Sequence, residues 1–393
     1  MHDTDLLLTA GPTPYPAAVR SALAGPALSP DDPAFVELVR RVEGMLRQLF
    51  GAAGDVVVLQ GEAVLGLEAA ARGLVRPGMP VLNLVQGVFG HYMGLWLEQF
   101  GAVVHEVRVP YDRAVPPSAV ADALAAHPEI ELVCAVGCET PSGTVSDLEG
   151  IGAVVREHGA LALVDAVAAL GATPFDADAW GWDVAVSAPH KVLGGTAGLS
   201  LLSVSERAWT ALGANPSAPR GSYLSLLDWK ERWLEGGSFP YVPSPSDWLA
   251  LDAALDELLR EGLDAAARRH AVASAAVRAG VRALGLRLWA DDDAIAAPVV
   301  TAVHIPEGID PDHLCRVAHR RYGVLMSSGQ GAGDLVRIAH MGSTASGLHP
   351  VIGIAALGRA LADLGVGVDI GSGAAAVLAV LSDNAGSDRS GRE

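Results

Sequence analysis

Two apolar runs in the chain end on groups that can do chemistry. Leu161-Ala162-Leu163-Val164 delivers Asp165, and Val184-Ala185-Val186-Ser187 is followed by Ala188-Pro189-His190-Lys191. In an open α/β sheet, ligands bind beyond the carboxyl ends of the strands, so Asp165 and Lys191 are placed to face one crevice. A charge taken out of water is expensive unless it is paired or used. Spacing leaves two readings. In one, the residues form an internal ion pair, or a capping Asp and a surface Lys. In the other, desolvation lowers the pKa of Lys191 so that its amine forms a Schiff base with a carbonyl, and Asp165 pairs with a pyridinium nitrogen.

The elements that must hold these residues follow a βα rhythm. Segments 56–59, 81–84, 103–107, 132–136, 161–164, 184–187 and 199–204 are short, near-continuous apolar runs, as expected of parallel strands buried on both faces. Helical periodicity fills 65–74, 94–100, 117–126 and 148–158. A Trp-, Gly- and Pro-rich stretch over 223–245 interrupts the rhythm, and one long helical pattern follows over 246–284. Beyond it, 298–304, 324–327 and 336–339 read as strands, with 310–321 and 350–364 as helices. The expected class is α/β: a large, mainly parallel sheet domain and a smaller C-terminal α+β domain. The large domain is expected over 16–260 and the small one over 1–15 plus 261–381. A disordered tail is expected over 382–393.

Composition narrows the functions open to such a fold. A chain of 393 residues that is 50% hydrophobic and 18% charged buries at least one large core, which excludes disordered and fibrous classes. Lys and Arg total 27 against 45 Asp and Glu, and the resulting charge of -18 repels phosphate backbones and anionic lipid. Nucleic acid and membranes are therefore not expected as partners. Apolar segments are interrupted before the roughly 18 residues a membrane helix needs, and the start Met1-His2-Asp3-Thr4-Asp5 lacks the basic region of a signal peptide. Cys134, Cys138 and Cys315 form neither a disulfide framework nor a zinc pattern, so a cytoplasmic protein without a metal is expected.

The run Val164-Asp165-Ala166-Val167-Ala168-Ala169-Leu170-Gly171, followed by Ser187-Ala188-Pro189-His190-Lys191, resembles the cofactor aspartate and lysine segments of class V aminotransferases, vitamin B6 enzymes of fold type I. The likeness spans nearly the whole chain, from Leu8-Thr9-Ala10-Gly11-Pro12 to Val336-Arg337-Ile338, and is similar to the alanine:glyoxylate and serine:pyruvate group. Gly61-Glu62-Ala63-Val64-Leu65-Gly66-Leu67-Glu68-Ala69-Ala70, Thr140-Pro141-Ser142-Gly143-Thr144 and His340-Met341-Gly342 are similar to the branch that transaminates pyridoxamine with pyruvate. The resemblance implies that Lys191 forms the Schiff base and then carries the proton between the substrate Cα and the C4′ carbon. Asp165 would keep the pyridine nitrogen protonated, Val167 would meet one ring face and Phe89 the other. Thr140 would bond the ring oxygen. Arg337 would hold a substrate carboxylate through its guanidinium fork, a salt bridge to Asp or Glu being the plainer reading. Gln330 would add a polar contact there, and His190 would pack beside the lysine. A homodimer or dimer of dimers with sites at the subunit interface is also implied.

Glu62 stands where relatives that bind pyridoxal 5′-phosphate carry a hydroxylic, glycine-rich turn at a helix start. A carboxylate there repels a phosphate dianion but accepts a hydrogen bond from a hydroxymethyl group. The plainer reading is that Glu62 faces solvent or caps the helix. In the region where relatives draw phosphate contacts from a neighbouring subunit, Phe239 and Val242 are apolar. The function this implies is transfer of an amino group from pyridoxamine to pyruvate, giving pyridoxal and L-alanine, with the vitamer bound as substrate. The alternatives are a pyridoxal 5′-phosphate-dependent alanine:glyoxylate or serine:pyruvate aminotransferase, or a non-catalytic vitamin B6-binding protein.

Overall fold

The computed structural model describes residues 5–26 and 28–387. At its centre is a sheet of seven strands: β1 (Asp55–Gln60), β2 (Pro80–Val85), β3 (Val103–Arg108), β4 (Leu132–Val136), β5 (Leu161–Asp165), β6 (Val184–Ser187) and β7 (Leu199–Val204). They lie in the order β1-β7-β6-β5-β4-β2-β3. The pairs β3–β2, β2–β4, β4–β5 and β5–β6 are parallel, whereas β7 runs antiparallel to both β6 and β1. Parallel neighbours need a crossover of a dozen or more residues. Helices α1 (Ala63–Leu74), α2 (Val88–Gln99), α3 (Pro117–Ala126) and α4 (Leu148–His158) lie between successive strands of the first half. No helix lies between β6 and β7, so the chain turns back and β7 is the exception to the parallel reading.

Strand runs that are apolar throughout are buried throughout: every residue of β4, β6 and β7 lies inside. Helices cover both faces, so a single large core forms around residues such as Leu59, Leu132, Val164, Val186 and Leu201. The long pattern over 246–284 folds as two helices, α5 (Pro245–Glu261) and α6 (Leu263–Ala283). Gly262 separates them at φ 90, a left-handed backbone that glycine adopts at no steric cost.

The C-terminal part forms a second core. Strands β8 (Val300–His304) and β9 (Leu335–Ala339) pair antiparallel, and Ser327–Ser328 pairs with the other edge of β9. The run expected as one strand over 324–327 is split, because Val324–Leu325 pairs in parallel with Leu6–Leu7 instead. Helices α7 (Pro311–Tyr322), α8 (His349–Asp363) and α9 (Ile370–Ser387) enclose Leu8, Val277, Leu314, Ile338, Leu357 and Val377. Helix α6 enters both cores, through Ala266 in the first and Val277 and Val281 in the second. The segment expected as a disordered tail from 382 instead begins as the last turns of α9, whose apolar residues Val377, Val380 and Leu381 dock on the second core. Residues 388–393 lie outside the described residues. Among the described residues, no helix is long and apolar enough to cross a membrane.

Candidate active site

Asp165 closes β5 and Lys191 lies just beyond β6, the neighbouring parallel strand, so the sheet brings their side chains to one cleft. Asp165 is 7% exposed, and its Oδ1 accepts the Val167 N–H at 2.9 Å. Burial pushes its carboxyl up to about 6, against the opposing pull of the Val167 N–H and the Lys191 charge. Lys191 is half-buried, and its Nζ donates to the Ala10 carbonyl. Burial holds its pKa below the usual lysine range and the Arg337 charge acts in the same direction, while Asp165 opposes. No ion pair closes between Asp165 and Lys191 among the described residues. The amine is therefore desolvated but not locked to a carboxylate, which is the state a nucleophilic lysine needs.

The N-terminal segment makes this arrangement possible. The Thr13 hydroxyl donates to the Lys191 carbonyl at 2.7 Å. Gly11, at φ 109, comes so close that a Cβ there would stand 2.6 Å from Lys191 Nζ. Sequence reading had no signal for these contacts, because the segment pairs with nothing near it in the chain.

Glu62, Phe89, Thr140, Val167 and His190 line the same cleft as Asp165 and Lys191. Glu62 is the N-cap of α1, its Oε1 accepting the Val64 N–H at 3.1 Å, so it caps the helix and borders the cleft at once. Phe89 is in the first turn of α2, which begins at Val88 rather than near residue 94 as the periodicity suggests. The cap that starts this helix comes from Glu139, which sequence reading missed. Its carboxylate accepts the Phe89 N–H at 3.0 Å and the Gly90 N–H at 2.7 Å. Glu139 is fully buried, and burial pushes its carboxyl up to about 7 despite those two donors. At Gly87 a Cβ would lie 2.3 Å from the Glu139 carboxyl carbon, so the turn preceding Phe89 has room only for glycine. Cys138, Tyr92, Met93 and Trp96 complete much of the wall.

Thr140 Oγ1 and His190 Nδ1 are buried without a hydrogen-bond partner. Burial and the nearby Lys191 charge push the His190 ring down to about 4, so it is neutral. Buried polar atoms are normally satisfied, and an orphaned hydroxyl in an apolar-walled cleft beside a free amine and a buried carboxyl fits a flat, polar-edged ring. The residues present thus suit a vitamin B6 ring.

Arg337 does not line that cleft but borders it. Its guanidinium donates to the Thr140 carbonyl at 3.2 Å, the Ser328 carbonyl at 2.7 Å and Gln330 Oε1 at 3.3 Å. It forms no salt bridge among the described residues, so the plainer reading of a carboxylate partner is not realised. Gln330 holds its contact from a left-handed backbone at φ 50. Phe239 is partly buried and packs against its own chain's core, stacked on Trp233 with ring centroids 4.1 Å apart. Val242 is 73% exposed.

A lysine and an aspartate at adjacent strand ends of a seven-stranded, mainly parallel sheet define a fold-type I aminotransferase, and the chain belongs to the class-V aminotransferase family, whose model matches residues 32–346. It is 44% identical to a pyridoxamine–pyruvate transaminase of Mesorhizobium japonicum over 386 residues, 98% of each chain. The crystal structure of pyridoxamine-pyruvate aminotransferase from Mesorhizobium loti superposes with a TM-score of 0.95 at 43% identity, covering 98% of both chains. That of ureidoglycine-glyoxylate aminotransferase from Bacillus subtilis gives 0.92 at 28% identity, over 97% of this chain and 99% of that one. The chain is an aminotransferase.

Proposed function

We propose that this aminotransferase takes pyridoxamine as amino donor and pyruvate as acceptor, releasing pyridoxal and L-alanine. The observation that carries the reading is Glu62. The N-terminus of a helix is an anion site because its free N–H groups point at the ligand. Here the chain's own carboxylate already takes the Val64 N–H. A phosphate dianion brought to α1 would meet that charge with one donor fewer, whereas a hydroxymethyl O–H finds an acceptor. The 44% identical transaminase supports the same choice.

The bound vitamer supplies the electron sink that transamination needs. The chain's own residues do the rest. Asp165, whose carboxyl is held up chiefly by burial and further by the Glu62 charge, would ionise beside a cationic ring nitrogen and keep a proton there. Thr140 Oγ1 offers its unpaired hydroxyl to a ring oxygen. Phe89 and Val167, both on the cleft wall, would meet the two faces of the ring. Lys191, desolvated and free of a carboxylate partner, is the amine that meets the carbonyl and carries a proton at Nζ. Arg337, whose neighbours are neutral oxygens, would hold the keto-acid carboxylate through its guanidinium fork. Tyr92, at 50% exposure, and Val64, at 40%, leave apolar surface at the cleft mouth, which supports a homodimer that covers it. Three free thiols support a reducing, cytoplasmic setting.

The test is the ratio of kcat/KM for pyridoxamine and pyridoxamine 5′-phosphate with pyruvate. Wild type is expected to favour pyridoxamine, and Glu62→Ser to narrow that preference by about 1–3 kcal/mol, the worth of a hydrogen bond to a charged group. A wild-type preference for the phosphate would establish the alanine:glyoxylate type of activity instead.

A further inference from the structure

We propose that His105, His127 and Glu129 form a binding site for a divalent transition-metal ion of the zinc type, at the open edge of the central sheet. His105 lies on β3, the outermost strand, opposite Leu82 of β2. His127 is the C-cap of α3, and Glu129 follows it in the connection to β4. The βα crossover therefore returns two ligands of the α3–β4 loop to the strand that carries the third. One donor atom from each residue lies within 4.8 Å of the other two. Glu129 Oε1 is 3.2 Å from His127 Nδ1 and 4.0 Å from His105 Nε2, and the two imidazole rings stand 4.0 Å apart between centroids.

The chemistry of the set favours a metal over a simple pair of contacts. A tetrahedral zinc ion with bonds of about 2.0–2.1 Å separates its ligands by roughly 3.3 Å, so shifts of about an ångström or less bring all three donors onto one ion. Two imidazoles and one carboxylate suit zinc, copper or nickel and are a poor set for magnesium or calcium. The side chains are 26%, 41% and 54% exposed, in the order His105, His127, Glu129, so an ion enters from solvent and water completes its fourth position. None of the three lines the candidate active site. The ion would instead clamp the α3–β4 connection onto β3, covering an edge that otherwise presents unpaired backbone groups.

Calorimetric titration of the tag-free full chain with Zn²⁺ alone, in a non-chelating buffer, tests this. Wild type is expected to bind one ion per chain at this site, and His105→Ala and Glu129→Gln each to weaken that binding at least about tenfold, since even residues behind the ligands cost that much. Glu129 is exposed and its Gln variant keeps the shape, so folding does not confound the comparison. Absence of a stoichiometric zinc site in wild type, or equal binding in wild type and both variants, would overturn the proposal.

Discussion

Arg337 brings a charge into the interior and meets only neutral oxygens there, from Thr140, Ser328 and Gln330. Burial lowers its pKa to about 10, so it stays cationic at neutral pH with an unmatched charge. An anion that enters and pairs with the fork relieves that cost. Arg337→Ala is therefore expected to raise the KM for the keto acid by about 30- to 150-fold, the equivalent of roughly 2–3 kcal/mol, and to leave the KM for the vitamer nearly unchanged. Arg337→Lys, which keeps charge but loses the fork, should fall between. Steady-state kinetics with each substrate varied in turn checks both, and an unaltered keto-acid KM in Arg337→Ala would remove the residue from substrate binding. Asp165 and Lys191 were legible from sequence because a charged residue at the end of an all-apolar run has few places to go in a parallel sheet. Ala10 and Gly11 were not, since what matters there is a carbonyl and the lack of a Cβ beside a residue far along the chain.

At the level of elements, the start of α2 shows why a site can be half readable. The helix has no side-chain cap from its own N-terminal residues, and its first turn is glycine-rich, so periodicity places its beginning several residues late. Glu139 supplies the missing acceptors from the end of the strand–loop that follows β4, and in doing so fixes the backbone of Phe89. Glu139→Gln turns one of those acceptors into an amide NH₂ facing a buried N–H. The expected loss is about 1–3 kcal/mol of unfolding free energy, read by denaturant titration, with weaker vitamer binding because Phe89 is no longer held. Undiminished stability together with wild-type vitamer affinity would show that α2 needs no cap from outside. The edge cluster of His105, His127 and Glu129 was hidden for a related reason. His127 and Glu129 are near neighbours in the chain, but His105 lies on β3, and the three meet only because the α3–β4 connection returns against that strand.

Across the whole molecule, two buried histidines lie close to where the C-terminal part meets the large sheet, and one of them reaches the lysine segment through Gly342. His270, on α6, accepts the Gly342 N–H at 3.0 Å, and a Cβ on Gly342 would lie 2.9 Å from the Val192 carbonyl, next to Lys191. His340 bonds the Pro298 carbonyl and the Thr301 hydroxyl, each at 2.9 Å. Burial pushes His270 down to about 4 and His340 to about 3, from 6.5 in the unfolded chain. Between those values the unfolded state binds more protons than the native one, so stability is full above pH 6.5 and is lost as pH falls toward 3. Glu139 and Asp165, whose carboxyls are raised, act in the opposite sense, so the total profile mixes the two. The difference between proteins isolates one group. His340→Gln retains hydrogen-bonding capacity but cannot titrate. Between pH 6 and 4 its unfolding free energy should fall less steeply than that of wild type, by about 1.4 kcal/mol per pH unit, the full proton-linkage slope of one group. Parallel profiles from denaturant unfolding would mean that His340 takes up its proton in the folded protein.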